Sequence, residues 1–193
     1  MAPVAVLSII ERKSPPEPRE GDAVNAVDPR SQAIIDGLEA IDPSHVLYLP
    51  SSTLRSIINY CLVRPNTQAF PIPIEEEGVG IHSGLVLAGA KPIMIIQDNG
   101  VGNMLTALTT FPQAYHLPQL MIVSQRGGLG EYNSMIHTFC EHVEDILDAA
   151  QIRYFKLDGR VPLADWPGTV SRAYEFCQTT HRPVMVLCNL MGG

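Results

Sequence analysis

Between residues 45 and 188 the chain alternates short, almost wholly apolar runs with longer stretches in which apolar residues recur every three or four positions. The first pattern predicts strands and the second amphipathic helices. Residues 31–41 carry helical spacing at Ile34, Ile35, Leu38 and Ile41, and Asp42-Pro43 ends the run. Residues 45–49 predict a strand, and Pro50-Ser51-Ser52 a turn into a helix reaching about Leu62, with Ser51 or Ser52 as its N-cap. A strand over 69–74 leads into a helix over 75–88, which Gly89 closes. Further strands are predicted over 92–97, 120–124, 153–157 and 183–188, and further helices over 102–115, 141–150 and 166–180. The run Ile93-Met94-Ile95-Ile96 is apolar on both faces, as a central parallel strand requires. The regular alternation places the chain in the α/β class, as a single doubly wound parallel sheet with helices on both faces.

At 193 residues there is room for one domain with a substantial core. Residues 11–30 do not fit the pattern. They are rich in Pro, Glu, Asp and Arg, include Ser14-Pro15-Pro16-Glu17-Pro18, and show no apolar period. We therefore divide the chain into an arm over 1–30, mobile or in contact with a partner, and a folded domain over 31–193. Charged residues make up only 17% of the chain, against roughly 25% in typical domains, which predicts a surface partly covered by another subunit. A net charge of −7 and the lack of any Lys/Arg run exclude nucleic acid as an expected partner. No segment is long and apolar enough to span a membrane, and the first ten residues lack the basic start of a signal peptide. Cys61, Cys140, Cys177 and Cys188 are scattered and form no metal or disulfide spacing, which fits a reducing cytoplasm.

Two features stand at the predicted carboxyl edge of the sheet, where such folds place ligands. One is Glu75-Glu76-Glu77, which opens a helix directly after Ile72-Pro73-Ile74. Acids at a helix start also serve the helix dipole alone; Glu75 is nearest the strand end and is the one best placed to enter a cleft. The other is Asn99-Gly100-Val101-Gly102-Asn103, between an apolar strand and a helix. Glycines there let backbone N–H groups approach a ligand, or simply provide a tight connection. Asp98 adds a carboxylate beside this turn. Ser51, Ser52 and Arg126 are candidate contacts for an anionic substrate, although an arginine at this position also suits a surface or interface. His82 is expected to be packed and hydrogen-bonded, and none of the six histidines has a metal spacing.

Together these segments resemble the pyrimidine-binding (PYR) domain of thiamine-diphosphate enzymes, and most closely the sulfopyruvate decarboxylase α subunits, with phosphonopyruvate decarboxylases next. The resemblance rests on Glu75-Glu76-Glu77-Gly78-Val79-Gly80-Ile81, Leu87-Ala88-Gly89-Ala90-Lys91-Pro92 and Gly100-Val101-Gly102-Asn103-Met104, with Ser124-Gln125-Arg126-Gly127 as a weaker piece. It covers roughly residues 45–158. The family places one Glu nine residues before a glycine, the spacing of Glu75 and Gly84, so the resemblance gives Glu75 the catalytic role. Its carboxyl group is implied to hydrogen-bond the aminopyrimidine N1′ of thiamine diphosphate and so promote loss of the thiazolium C2 proton. Asn99, Gly100, Val101, Gly102 and Asn103 are implied cofactor contacts.

The Gly-Asp-Gly motif that holds the diphosphate and Mg²⁺ in these enzymes is missing, and Leu157-Asp158-Gly159 only superficially resembles it. The resemblance thus implies half of an active site, with Mg²⁺ held by a separate β-type subunit in a hetero-oligomer. The expected substrate is a small anionic 2-oxo acid, 3-sulfopyruvate first. A phosphonopyruvate or other 2-oxo acid decarboxylase, a non-catalytic binding module of the same fold and a nucleotide-binding α/β protein are the alternatives.

Overall fold

A computed structural model describes residues 27–128 and 131–191. Most of the arm, through residue 26, lies outside the described residues, as does the end of the loop after Arg126. Helix α1 (Pro29–Ile41) is followed by β1 (His45–Tyr48), α2 (Arg55–Val63), β2 (Gln68–Pro71), α3 (Glu75–Leu87) and β3 (Pro92–Gln97). A 3₁₀ turn (Asp98–Gly100) then leads into α4 (Val101–Thr110), β4 (Gln119–Ser124), α5 (Ser134–Cys140), α6 (Val143–Ala149) and β5 (Arg153–Leu157). A second 3₁₀ turn (Leu163–Asp165), α7 (Trp166–Thr180) and β6 (Pro183–Cys188) complete the order.

The six strands form one sheet in the order β2-β1-β3-β4-β6-β5, with every pairing parallel. Alternate strand residues feed two cores. Ile93 and Ile95 join Ile34, Leu38, Ile57 and Val170 beneath α1, α2 and α7. Met94 and Ile96 join Val79, Met104, Leu108 and Leu147 beneath α3, α4 and α6. The predicted doubly wound fold is therefore the observed one. From β1 the chain moves outward to β2 and returns to β3 on the other side of β1, so the carboxyl ends of β1 and β3 flank a topological switch point, where a crevice opens. No helix among the described residues is long and apolar enough to cross a membrane.

Several element ends differ from expectation for local reasons. Helix α1 begins at Pro29, two residues early, because Asp28 caps it through the N–H groups of Arg30 and Ser31, and proline is tolerated in the first turn. Helix α2 begins at Arg55 with no side-chain cap, so neither Ser51 nor Ser52 is its N-cap; the Ser51 hydroxyl instead meets Thr53 and Gln97. Helix α4 stops at Thr110 rather than 115. Phe111 precedes Pro112 and leaves helical dihedrals (φ −116°, ψ −80°), as a residue before proline tends to do. The helix predicted over 141–150 is α6, and a further short helix not expected from the sequence, α5, precedes it, capped by Asn133.

Helix α3 faces the sheet through Gly78, Val79, His82 and Ser83. Buried Gln119, at the start of β4, donates to the Val79 carbonyl (3.2 Å) and to the Ser83 hydroxyl (2.7 Å), locking the helix to the sheet. His82 is fully buried, yet neither ring nitrogen has a well-formed hydrogen bond among the described residues, contrary to expectation. Burial lowers its pKa from 6.5 to about 3, a weak backbone contact with Pro92 opposing the shift. Below pH 6.5 the unfolded chain takes up a proton here that the folded chain refuses until about pH 3. Stability should therefore fall as pH drops through this window, by up to about 1.4 kcal/mol per pH unit from this group. His82→Leu should flatten that dependence, as measured by urea unfolding at pH 7.0 and 5.5 of both proteins (buffer pH values of about 7 and 5.5 suffice to sample the window).

Candidate active site

Glu75 opens α3 at the carboxyl edge and is only 6% exposed. Its two neighbours, Glu76 and Glu77, are exposed. The Glu75 carboxylate lies directly over Gly100: a Cβ built there would come within 2.1 Å of Glu75 Oε1. Gly100 has ordinary helical dihedrals (φ −72°, ψ −15°), so a side chain is excluded there by the carboxylate and not by backbone strain. Asn103, one turn further along α4, donates from Nδ2 to Glu75 Oε2 at 3.0 Å. Oε1 accepts no hydrogen bond among the described residues. The result is a nearly dry carboxylate with one oxygen held and the other available, the arrangement a proton relay needs.

Asp98, immediately before this turn, is fully buried. Oδ2 accepts the Arg126 backbone N–H at 2.7 Å, and Oδ1 the Cys140 thiol at 3.0 Å. Burial raises its pKa, and these bonds oppose the shift. Burial and the neighbouring Asp98 also push the Cys140 thiol up, so it is an inert donor here. Asp98 therefore faces inward and ties the turn to the loop after β4 and to α5, rather than bearing on a substrate. Phe139 of α5 lies over Gly102, where an added Cβ would meet its ring at 3.0 Å.

The other predicted residues divide into two groups. Val101 is fully buried in the core with Met104 and Leu108, so its side chain shapes the turn from within. Asn99 and Gly102 are exposed at the turn. Arg126 is not open to a substrate as expected: its Nε and Nη2 bond Glu131 at 2.6 and 2.8 Å, and the two side chains are only 5% and 2% exposed. That pair holds the Glu131 carboxyl at a pKa of about 2. Ser51 accepts from Gln97 Nε2 at 2.6 Å and meets Thr53, which donates to buried Ser124, so β1, β3 and β4 are laced together at their carboxyl ends. Ser52 is exposed. Asp158, in the segment superficially like a metal motif, pairs with Arg160 and Lys156. Among the described residues no cluster of three metal-ligating side chains occurs.

The exposed residues of α3 are Glu76 and Glu77 in its first turn and then Gly80, Ile81, Gly84 and Leu87, with Ile74 exposed just before it, and a Cβ at either glycine would meet nothing among the described residues. Glycine costs a helix about 1 kcal/mol relative to alanine; beyond the acidic first turn this face is low and apolar, and no contact among the described residues requires its two glycines.

The α subunit of sulfopyruvate decarboxylase from Methanococcus maripaludis is 31% identical over 132 residues, which cover 68% of this chain and 77% of that protein. The chain belongs to the sulfopyruvate decarboxylase α-subunit family. A phosphonopyruvate decarboxylase from Streptomyces viridochromogenes is 27% identical over 122 residues, spanning 63% of this chain but only 31% of the Streptomyces protein. No family model matches the chain. Among solved structures, a 2-oxoglutarate:ferredoxin oxidoreductase from Magnetococcus marinus, with 2-oxoglutarate, coenzyme A and succinyl-CoA bound, superposes with a TM-score of 0.62 at 14% identity. That match covers 82% of this chain and 28% of the other, and shows a shared fold.

In this member of the sulfopyruvate decarboxylase α-subunit family, sequence inspection missed the Asn103–Glu75 bond, the inward role of Asp98 and the Glu131 partner of Arg126. The steric claim at Gly100 is open to a double-mutant cycle. Gly100→Ala should cost about 1–3 kcal/mol by forcing the carboxylate aside. In a Glu75→Ala background the same change should cost little, giving a clear coupling energy by denaturant unfolding.

Proposed function

We propose that this chain is the PYR-type α subunit of a two-chain, thiamine-diphosphate-dependent decarboxylase that converts 3-sulfopyruvate to sulfoacetaldehyde and CO₂. The observation that carries this reading is the Glu75 carboxylate, nearly dry, with one oxygen held by Asn103 and the other unbonded above Gly100. These residues fit the aminopyrimidine of the cofactor, whose ring nitrogen needs a carboxyl partner in a low-dielectric setting. When bound, thiamine diphosphate supplies a nucleophilic carbon and an electron sink for loss of CO₂.

What the chain contributes is narrower. Glu75 exchanges a proton with the pyrimidine nitrogen through Oε1. Asn103 keeps Oε2 occupied, which fixes the direction in which that proton moves. Gly100 leaves the space in which the carboxylate lies, and Asp98 holds the turn rigid from behind. A β-type subunit would hold Mg²⁺ and the diphosphate and close the dry pocket. The exposed apolar face of α3, on the helix that carries Glu75, suits such a neighbour. The four cysteines are buried and free, which fits a reducing cytoplasm. The likeness to a phosphonopyruvate decarboxylase supports one second reading, in which the tail of the 2-oxo acid is a phosphonate.

The test is co-expression with a candidate β-type chain and measurement of CO₂ release from 3-sulfopyruvate and phosphonopyruvate, with and without thiamine diphosphate and Mg²⁺. Release should need both chains and the cofactor. Glu75→Gln should lower kcat by about a hundredfold or more, within the range typical of a lost proton-transfer group. Faster turnover of phosphonopyruvate would select the second reading. A complex that binds cofactor yet is indifferent to Glu75→Gln would favour a binding module.

A further inference from the structure

The cations near the carboxyl edge are nearly all engaged. Arg126 is paired with Glu131, Lys156 with Glu144, and Arg160 with Asp158. Arg30 donates to the Asn189 carbonyl at 2.9 Å and lies over Trp166. Arg55, in the first turn of α2, is different. Among the described residues it has no ion pair, hydrogen bond or aromatic partner. It lines an open cleft of about 430 Å³ beside the carboxyl end of β1.

Besides the Tyr48 hydroxyl, three of the cleft's side chains have unspent donors. Ser52 and Asn59 make no side-chain hydrogen bond among the described residues, and both line the cleft with Arg55. Arg55 and Asn59 are four residues apart on α2 and therefore share a face, with Ser52 one turn before Arg55. No carboxylate is among the described residues that line the cleft, whose apolar lining includes Ile58 and Leu62. Its rim is Ser51, which Gln97 holds at 2.6 Å. Gln97 ends β3, three residues before the Gly100 on which Glu75 rests. One hydrogen bond and one short turn thus connect the cleft to the glycine beneath Glu75.

The geometry points to Arg55, with Ser52 and Asn59, as the site on this chain that takes the tetrahedral oxyanion tail of the substrate. This inference rests on the decarboxylase reading above and replaces Arg126 in that role. The guanidinium supplies the charge and a planar pair of N–H donors, while the hydroxyl and the amide supply neutral donors to the remaining oxygens. A sulfonate and a phosphonate share this chemistry, and a free inorganic anion has it too.

Two measurements on the complex with its β-type partner separate the possibilities. The first is calorimetric titration with sulfoacetate, which has the tail but no 2-oxo group, beside inorganic sulfate. Arg55→Gln should weaken sulfoacetate binding by roughly ten- to a hundredfold, as loss of a charge-assisted contact does. Arg55→Lys should lose less. Inorganic sulfate should bind more weakly than sulfoacetate; equal binding would reduce the site to a general anion site and overturn the assignment. The second measurement is kcat/KM for 3-sulfopyruvate and for 2-oxobutanoate, which lacks the charged tail. The Arg55→Gln loss should be at least about ten times larger for 3-sulfopyruvate, chiefly through KM.

Unchanged sulfoacetate affinity in Arg55→Gln, or no sulfoacetate binding by the wild-type complex, overturns the inference even if decarboxylation is intact. Arg55-dependent sulfoacetate binding without turnover of any 2-oxo acid would leave the anion site standing and overturn the decarboxylase reading instead. Among the described residues Arg55 makes no ion pair, side-chain hydrogen bond or aromatic contact that its replacement would remove, so the melting temperature of both variants should match wild type and exclude misfolding as the cause.

Discussion

A carboxylate can lie on a polypeptide backbone only where no Cβ stands in its way, and the architecture of the candidate site follows from that constraint. Glu75 comes from the helix after β2, Gly100 from the turn after β3, and Asn103 from the helix that the turn begins. The strands they follow lie on opposite sides of β1. The contact of carboxylate and glycine therefore closes the two halves of the sheet at their switch point. Asn103 then converts a steric fit into an orientation, because it binds one oxygen and leaves the other.

The turn could not hold this position unaided. Asp98 bonds the Arg126 backbone and the Cys140 thiol from a fully buried position, drawing three segments toward one carboxyl group. Arg126 and Glu131 close the loop that follows β4, and Phe139 presses α5 against Gly102. The charged side chains nearest the turn thus serve the scaffold. On the proposed reading, substrate charge is then met by Arg55 from another wall, which keeps the carboxylate of Glu75 apart from the cation assigned to the tail.

Most of the fold was legible in the sequence because its strands are buried on both faces. Runs such as Ile93-Met94-Ile95-Ile96 admit few other interpretations, and β3, β5, α7 and β6 have the expected bounds. The errors lie where a local signal was outweighed or weak. Pro112 cut α4 short through the residue before it, and α5 is a seven-residue helix whose only marker was Asn133. The position of Glu75 at the helix start was legible from its place after Ile72-Pro73-Ile74. Its bond to Asn103, 28 residues away, was not, since no pattern along the chain reports which side chains meet across a sheet edge. The pairing of Arg126 was not legible for the same reason: Glu131 stands beyond Gly127, Gly128 and Gly130, and only the fold brings the pair together.

The two open glycines on α3 have a mechanical meaning. Gly80 and Gly84 make the helix more flexible than its burial alone would require, and nothing within the described residues stiffens that side. The same helix carries Glu75 at its first residue. Gln119 and Asn103 hold the helix and its acid from within the chain; a surface laid against the glycine face would further damp the bending of α3 and so sharpen the aim of the carboxylate at its end, linking assembly to alignment without any change of fold.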